Sequence, residues 1–251
     1  MKKKIVIYTA LFNDYDKLEN CERYSDFFDF ICFTDRPIKS KFWKIVLVKN
    51  SIFEPELLNR KYKILPHLYL KNYEISLYVD ANIKILKNPK NLILNYIKLS
   101  DLIISKHFLR KCLYQEAFAL IRSTRFNNYK IFKQIVSYAI KGMPVNFGLT
   151  ENSIIIRRHN KPKVKIIMMQ WWRELILGSH RDQLSLPYIL WKGEHKILRM
   201  NEDKRNKNYF SFKDHNKKFT LNIKNVINSF FWYFVYTIFA LIFLKKNKKT
   251  L

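Results

Sequence analysis

The sequence predicts an α/β protein: a mostly parallel sheet flanked by helices, with an apolar helix added at the C-terminus. Early β-rich runs alternate with segments of helical periodicity, the order that builds parallel sheets. The run Ile75-Ser76-Leu77-Tyr78-Val79 reads as a buried strand and stops at Asp80-Ala81-Asn82, so polar residues follow its carboxyl end. The 251 residues are 48% hydrophobic and 16% aromatic, enough for a sizeable core.

Ile5 to Tyr8 gives the first strand, and Thr9 to Asp16 the loop after it. Phe27 to Phe33 gives a second strand, closed by Thr34-Asp35, and Trp43 to Val48 a third. Pro55 opens a helix through Leu65, where its missing N–H costs little, and Pro66 ends or kinks that helix. The Asp80 strand follows, then a short strand at Ile83-Lys84-Ile85 and another at Leu102 to Ser105. Helical patterns cover Gln115 to Arg122 and Tyr129 to Ile140, the second closed by Gly142 and Pro144. Ser153 to Ile156 is a strand. Val164 to Leu177 is a Met- and Trp-rich helix stopped by Gly178, which makes Trp171 and Trp172 core residues.

After Met200 the composition changes. Residues 201–225 read as a polar, basic linker, and 226–251 as an apolar helix with a Lys-rich tail. Val226 to Leu244 approaches the ~20 apolar residues that span hydrocarbon, and aromatic residues crowd one end as at a membrane interface. The expectation is membrane contact, with spanning left open and burial in a core or dimer as the alternative. The start, Met1-Lys2-Lys3-Lys4, leads into too short an apolar run for a signal peptide.

The formal net charge is +27, from 47 Lys+Arg against 20 Asp+Glu, which favours anionic partners. Abundant Lys, Asn, Ile, Phe and Tyr together make part of this excess compositional. No zinc-finger spacing and no aromatic RNP signature occurs, so nucleic acid is not the expected partner. With four glycines, the chain holds neither a Gly-rich phosphate loop nor a dinucleotide fingerprint. Cys21, Cys32 and Cys112 form no C-x-x-C and no disulfide framework, which fits a reducing compartment.

Ligands of open α/β sheets bind outside the carboxyl ends of the strands. An acid and an amide two apart at such an edge, Asp80 and Asn82, suit a hard cation and the diphosphate it carries; a plain strand-end turn is the competing account. Arg60 and Lys63, three apart on a helix, share a face and suit a phosphate clamp, or else a solvated basic face.

Several segments, in order, resemble one family. They are Tyr8-Thr9-Ala10-Leu11-Phe12 with Asp14-Tyr15-Asp16, Phe30-Ile31-Cys32-Phe33-Thr34-Asp35, Arg60 to His67, Tyr78-Val79-Asp80-Ala81-Asn82-Ile83, Ser105-Lys106-His107, Asn146 to Glu151, Ile155 to Asn160, Trp171-Trp172 and Arg181 to Tyr188. Together they resemble the glycosyltransferase-like family of plant mucilage-related and turgor-regulation-defect proteins and their bacterial members, over about residues 5 to 200. The resemblance implies a GT-A-like domain at 1–200 and a nucleotide-sugar donor. It implies an Asp-x-Asp-type motif in which Asp80 keeps the first position and Asn82 replaces the second. A divalent metal, Mn²⁺ or Mg²⁺, is therefore expected with weaker support from the protein, since an amide is a neutral ligand.

On this resemblance Thr9, Ala10, Asp16 and Asp35 line the nucleotide pocket with Arg60, Lys63 and Asp80. His107, Glu151 and Asp182 are the catalytic candidates; an inverting transferase needs a carboxylate base, for which Asp182 or Glu151 serves. Asn146 and Gly148 resemble the sugar-contacting loop of glycogenin-like enzymes, and Asp182-Gln183 the acid-amide pair that opens a helix beside the donor sugar. His159 reads as a hydrogen-bonded structural histidine. The expected partners are a nucleotide-sugar donor, a glycan or lipid-linked glycan acceptor and an anionic membrane surface, at the cytoplasmic side of the inner membrane. Two rivals stand beside this: a lipid hydrolase of the ceramide type, and a module that binds nucleotide or glycan without turnover.

Overall fold

A computed structural model describes residues 4–13, 15–19, 27–49, 51–123, 126–202, 208–213 and 223–244. The strands are β1 (Ile5–Leu11), β2 (Phe28–Thr34), β3 (Lys44–Leu47), β4 (Ile75–Val79), β5 (Ile83–Ile85), β6 (Leu102–Lys106), β7 (Thr150–Arg157), β8 (Leu198–Met200) and β9 (Phe210–Phe212). The helices are α1 (Pro55–Ile64), α2 (Pro66–Tyr69), α3 (Lys90–Leu99), α4 (Leu113–Arg122), α5 (Asn128–Ile140), α6 (Pro162–Leu177), α7 (Asp182–Lys192) and α8 (Ile223–Phe239), the last continued by a π-helical turn, Ala240–Leu244.

The chain folds as two compact units that share it discontinuously: Met1–Phe108, Thr150–Trp172 and Lys196–Lys217 form the first, and the remaining segments the second. The boundary expected near residue 200 is therefore only one of several.

The first unit is a seven-stranded sheet in the order β3-β2-β1-β4-β7-β6-β8, beside a two-stranded sheet of β5 and β9. β1 runs parallel to β2 and β4, and β2 to β3; β7 is antiparallel to both neighbours, and β6 is parallel to β8. All strands of the seven-stranded sheet but β7 thus point one way, which bears out the mostly parallel α/β fold. Strand alternation sends Ile7, Leu77, Val79, Ile154 and Ile156 into one core with Leu92, Ile93 and Ile97 of α3. Tyr8, Tyr78 and Arg157 point to the opposite face, where α1 lies: the Tyr8 hydroxyl and Arg157 both donate to the Lys63 carbonyl. Pro66 does interrupt the helix, and α2 begins at it. The stretch expected as linker contains β9, because Phe210 is buried when it pairs with Ile85.

The second unit packs α4, α5, α7 and α8 around Leu113, Tyr114, Ile131, Ile135, Tyr138, Leu184, Tyr188, Tyr236 and Phe239. The Tyr138 and Tyr188 rings stack at 3.9 Å. Asn127 caps α5 by accepting from the Lys130 N–H at 3.0 Å. Gly142, with φ +87°, turns the chain beyond α5 in a conformation that suits a residue without Cβ. α8 has two faces. On one, Ser229 donates to the Ile121 carbonyl at 2.6 Å and Tyr236 to that of Tyr114 at 2.7 Å. On the other, Phe230 and Phe234 are 71% and 64% exposed, and Phe231, Leu241 and Ile242 are exposed too. Among the described residues, no helix is long and apolar enough to cross a membrane.

Candidate functional site

The carboxyl ends of β1, β2, β4 and β6 and the amino end of β7 meet at one edge of the first unit, since β7 alone is reversed. That edge collects Asp80, Asn82, His107 and Glu151, with Thr9, Ala10, Asp16, Thr34 and Asp35 on the strands and loops beside them.

Asp80 is the best-defined member. Its N–H donates to the Ser153 carbonyl at 2.9 Å, which fixes the end of β4 against β7. Tyr78 donates its hydroxyl to Asp80 Oδ1 at 2.8 Å, and Lys63 Nζ stands 3.7 Å from the same oxygen. The Lys63 side chain is 3% exposed and that of Asp80 29%, so a buried ammonium backs a carboxylate open to ligand. Oδ2 has no hydrogen-bond partner among the described residues. Burial, then the negative charge of Asp80, pushes the Tyr78 phenol far above its ordinary range, so it stays a donor. Arg60 lies near enough to oppose that shift, and its Nη1 donates to Asn59 Oδ1 at 2.6 Å. Asn59 in turn donates to the Ala10 carbonyl. Arg60, Lys63 and Asp80 therefore converge, as their positions on a helix face and a strand end led us to expect.

Asn82 is occupied differently. Its amide nitrogen donates to the Lys213 carbonyl at 2.7 Å, and its own carbonyl accepts from the Lys213 N–H at 3.0 Å, so it fastens the β9 arm to the site. Among the described residues no three His, Cys, Asp or Glu side chains gather as a metal-ligand set. A divalent cation here would rest on Asp80 Oδ2 and the Asn82 side-chain oxygen, since only the amide nitrogen of Asn82 is taken by Lys213.

His107 Nε2 and Glu151 Oε2 are 3.8 Å apart, with the histidine 3% and the acid 13% exposed. Strand pairing brings them together: Glu151 faces Ser105 across β6 and β7, after a bulge at Ile104/Ser105. Thr9 and Thr34 are fully buried, Ala10 and Asp16 nearly so, and Asp35 is exposed, where its Oδ2 accepts from the Asn13 N–H at 2.9 Å. Asn146, Gly148, Asp182 and Gln183 belong to the second unit. There Asn146 and Gly148 take φ +68° and +106° in the turn before β7, and Asp182 and Gln183 are buried in the first turn of α7. Trp171 is fully buried, as expected for a core residue, but Trp172 is only partly buried, its ring edge to face with Phe53 at 5.6 Å. His159 Nε2 lies 2.9 Å from the Leu70 carbonyl, and burial is the first cause that lowers its pKa to about 4: a structural histidine. Asp14 and Cys21 lie outside the described residues.

Two participants escaped sequence reasoning. Tyr78 carried a readable signal, since residues two apart on a strand share a face and Asp80 follows it by two. Arg157 carried none, because an arginine at a strand end reads as surface charge.

A family model for the TOD1/MUCI70 glycosyltransferase-like domain matches residues 1–219. The chain belongs to that family. Membership gives residues 1–219 a glycosyltransferase-like domain and agrees with the order of motifs from Tyr8 to Tyr188. No curated protein matches it. Among solved structures, the apo structure of the bifunctional glycosyltransferase WbbM is similar to 79% of this chain with 8% identity and a TM-score of 0.48. This chain covers 38% of that one, and a likeness at this level carries no argument of its own.

Proposed function

We propose that this family member transfers a sugar from a nucleoside-diphosphate sugar to a glycan or lipid-linked glycan. The observation that supports it is the convergence of Asp80, Lys63 and Arg60 at the carboxyl edge of a mostly parallel sheet. The departing group of such a reaction is a nucleoside diphosphate, and its growing negative charge needs a preorganised positive field. Lys63, already held at Asp80, and Arg60 supply that field. Asp80 Oδ2 serves a ribose hydroxyl or a cation carried in by the diphosphate. Thr9, Ala10, Asp16 and Asp35 lie on the loops around the nucleotide. Glu151, oriented by His107, is the base that takes the acceptor hydroxyl proton.

The reading extends to the membrane. The exposed apolar face of α8, followed in sequence by Lys245, Lys246, Lys248 and Lys249, suits an anionic bilayer surface on the cytoplasmic side, where a lipid-linked acceptor would lie.

The test is thermal stabilisation by UDP, GDP, CMP and ADP, each with Mn²⁺ and with EDTA, against an Asp80→Ala control. A diphosphate at one hundred times its Kd stabilises by about 2.7 kcal/mol. For a chain of this size that raises Tm by roughly 5–10 °C. We expect one diphosphate to do so, to keep most of its effect in EDTA, and to lose it in the control. No response to any nucleotide by the folded wild-type protein would overturn the donor site and leave the Asp80 segment a turn.

A further inference from the structure

Arg157 is fully buried on β7, and its contacts are unusual for a buried cation. Nη2 donates to the Tyr8 hydroxyl and to the Lys63 carbonyl, and Nη1 lies 3.1 Å from Met168 Sδ. Tyr8 donates its own hydroxyl to the Lys63 carbonyl at 2.9 Å. Among the described residues no carboxylate pairs with the guanidinium. Taking an unpaired charge out of water is costly, and an apolar side chain of similar volume is often the more stable choice.

The contacts say where that cost is spent. Lys63 lies in the last turn of α1, whose final carbonyls lack helical partners and carry the negative end of the helix dipole. Arg157 and Tyr8 bind that carbonyl from below, so β7 and β1 hold the residue by its backbone. The same residue extends its ammonium to Asp80 Oδ1 at 3.7 Å, 5.3 Å from the centre of the Tyr78 ring. Tyr8 and Tyr78 meet edge to face at 5.2 Å and close the circuit.

We infer that Arg157 and Tyr8 are positioning residues for donor binding: they clamp the Lys63 carbonyl and thereby set the Lys63 ammonium at the diphosphate. The inference rests on the donor-site reading above. It adds that affinity for the diphosphate depends on a buried layer that never touches ligand, and that this layer acts only through Lys63.

A double-mutant cycle tests it, because coupled residues deviate from additivity and independent ones do not. Affinity for UDP and for GDP is measured calorimetrically in wild type, Tyr8→Phe, Arg157→Lys, Lys63→Met and the two double variants that join Lys63→Met to each of the other changes. Tyr8→Phe keeps the ring and removes one hydroxyl, whereas truncating Arg157 would empty a buried volume; Arg157→Lys, which keeps the charge but loses the two-point fork, is the second probe. Melting curves without nucleotide confirm folding. Tyr8→Phe and Arg157→Lys should each weaken binding by about five- to tenfold, the size of one lost hydrogen bond. In the Lys63→Met background either change should alter affinity less than twofold. Equal losses with and without Lys63 would overturn the inference and leave Arg157 as structure only. A wild-type protein that binds neither nucleotide would instead overturn the donor site, and this inference with it.

Discussion

His67 and His159 make the stability of this protein depend on pH in a calculable way. Both are buried, His67 in α2 and His159 just beyond β7. Both are held down to a pKa of about 4, first by burial and then by cations: Arg157 and Lys165 act on each, and His67 acts on His159. Neither ring nitrogen of His67, nor Nδ1 of His159, has a hydrogen-bond partner among the described residues. An unfolded histidine titrates near 6.5. Between these values the unfolded chain binds more protons than the folded one, so stability rises with pH across that window. It is complete above about pH 6.5 and is lost as pH falls toward 4. From pH 7 to pH 5 each histidine should cost about 2 kcal/mol. The assay is urea unfolding at pH 7, 6 and 5 of wild type and His67→Phe, an apolar ring that cannot titrate. The variant should lose roughly 2 kcal/mol less than wild type over that range. Equal losses in the two proteins would refute the reasoning, since His67 would then bind protons alike in the folded and unfolded chain.

Two further predictions concern function. Replacing Phe230 and Phe234 of α8 by Ser should leave Tm nearly unchanged, because both side chains already face outward; co-sedimentation with vesicles containing anionic lipid should fall at least about tenfold, from the lost burial of two aromatic rings. Glu151→Gln should lower turnover by about 10²- to 10⁴-fold while donor affinity changes little, measured once a donor and acceptor are in hand, since the amide keeps the shape near His107 but cannot take a proton.

The readable part of this protein was its local periodicity. Continuous apolar runs set β1, β2, β4 and β7, Pro55 and Pro66 bounded α1, and the polar residues after Val79 marked the edge where a ligand belongs. Asp80, Arg60 and Lys63 could be chosen as candidates because a strand end and a helix face are local features. Other elements were less legible. β8 and β9 are three residues each, too short for a pattern to declare itself, and the start of α3 went unread although Asn88-Pro89 marks it and Asn88 Oδ1 accepts from the Lys90 N–H at 3.0 Å. The apolar character of α8 read as a membrane segment without distinguishing the face that holds Ser229 and Tyr236 against neighbouring helices from the face left open.

What the tertiary structure alone decided was partnership. Asn82 reads locally as a metal ligand beside Asp80; its amide nitrogen also donates to the Lys213 carbonyl, 131 residues away, which no short pattern announces. Arg157 entered only as part of a resembling segment, and folding sets it against Tyr8 and the end of α1. His107 and Glu151 meet only because β7 runs against its neighbours. Side-chain type and spacing report what a residue could do within a few residues of chain. Which oxygen it meets depends on strand order and register, and these follow from burying one contiguous core rather than from any short stretch of sequence.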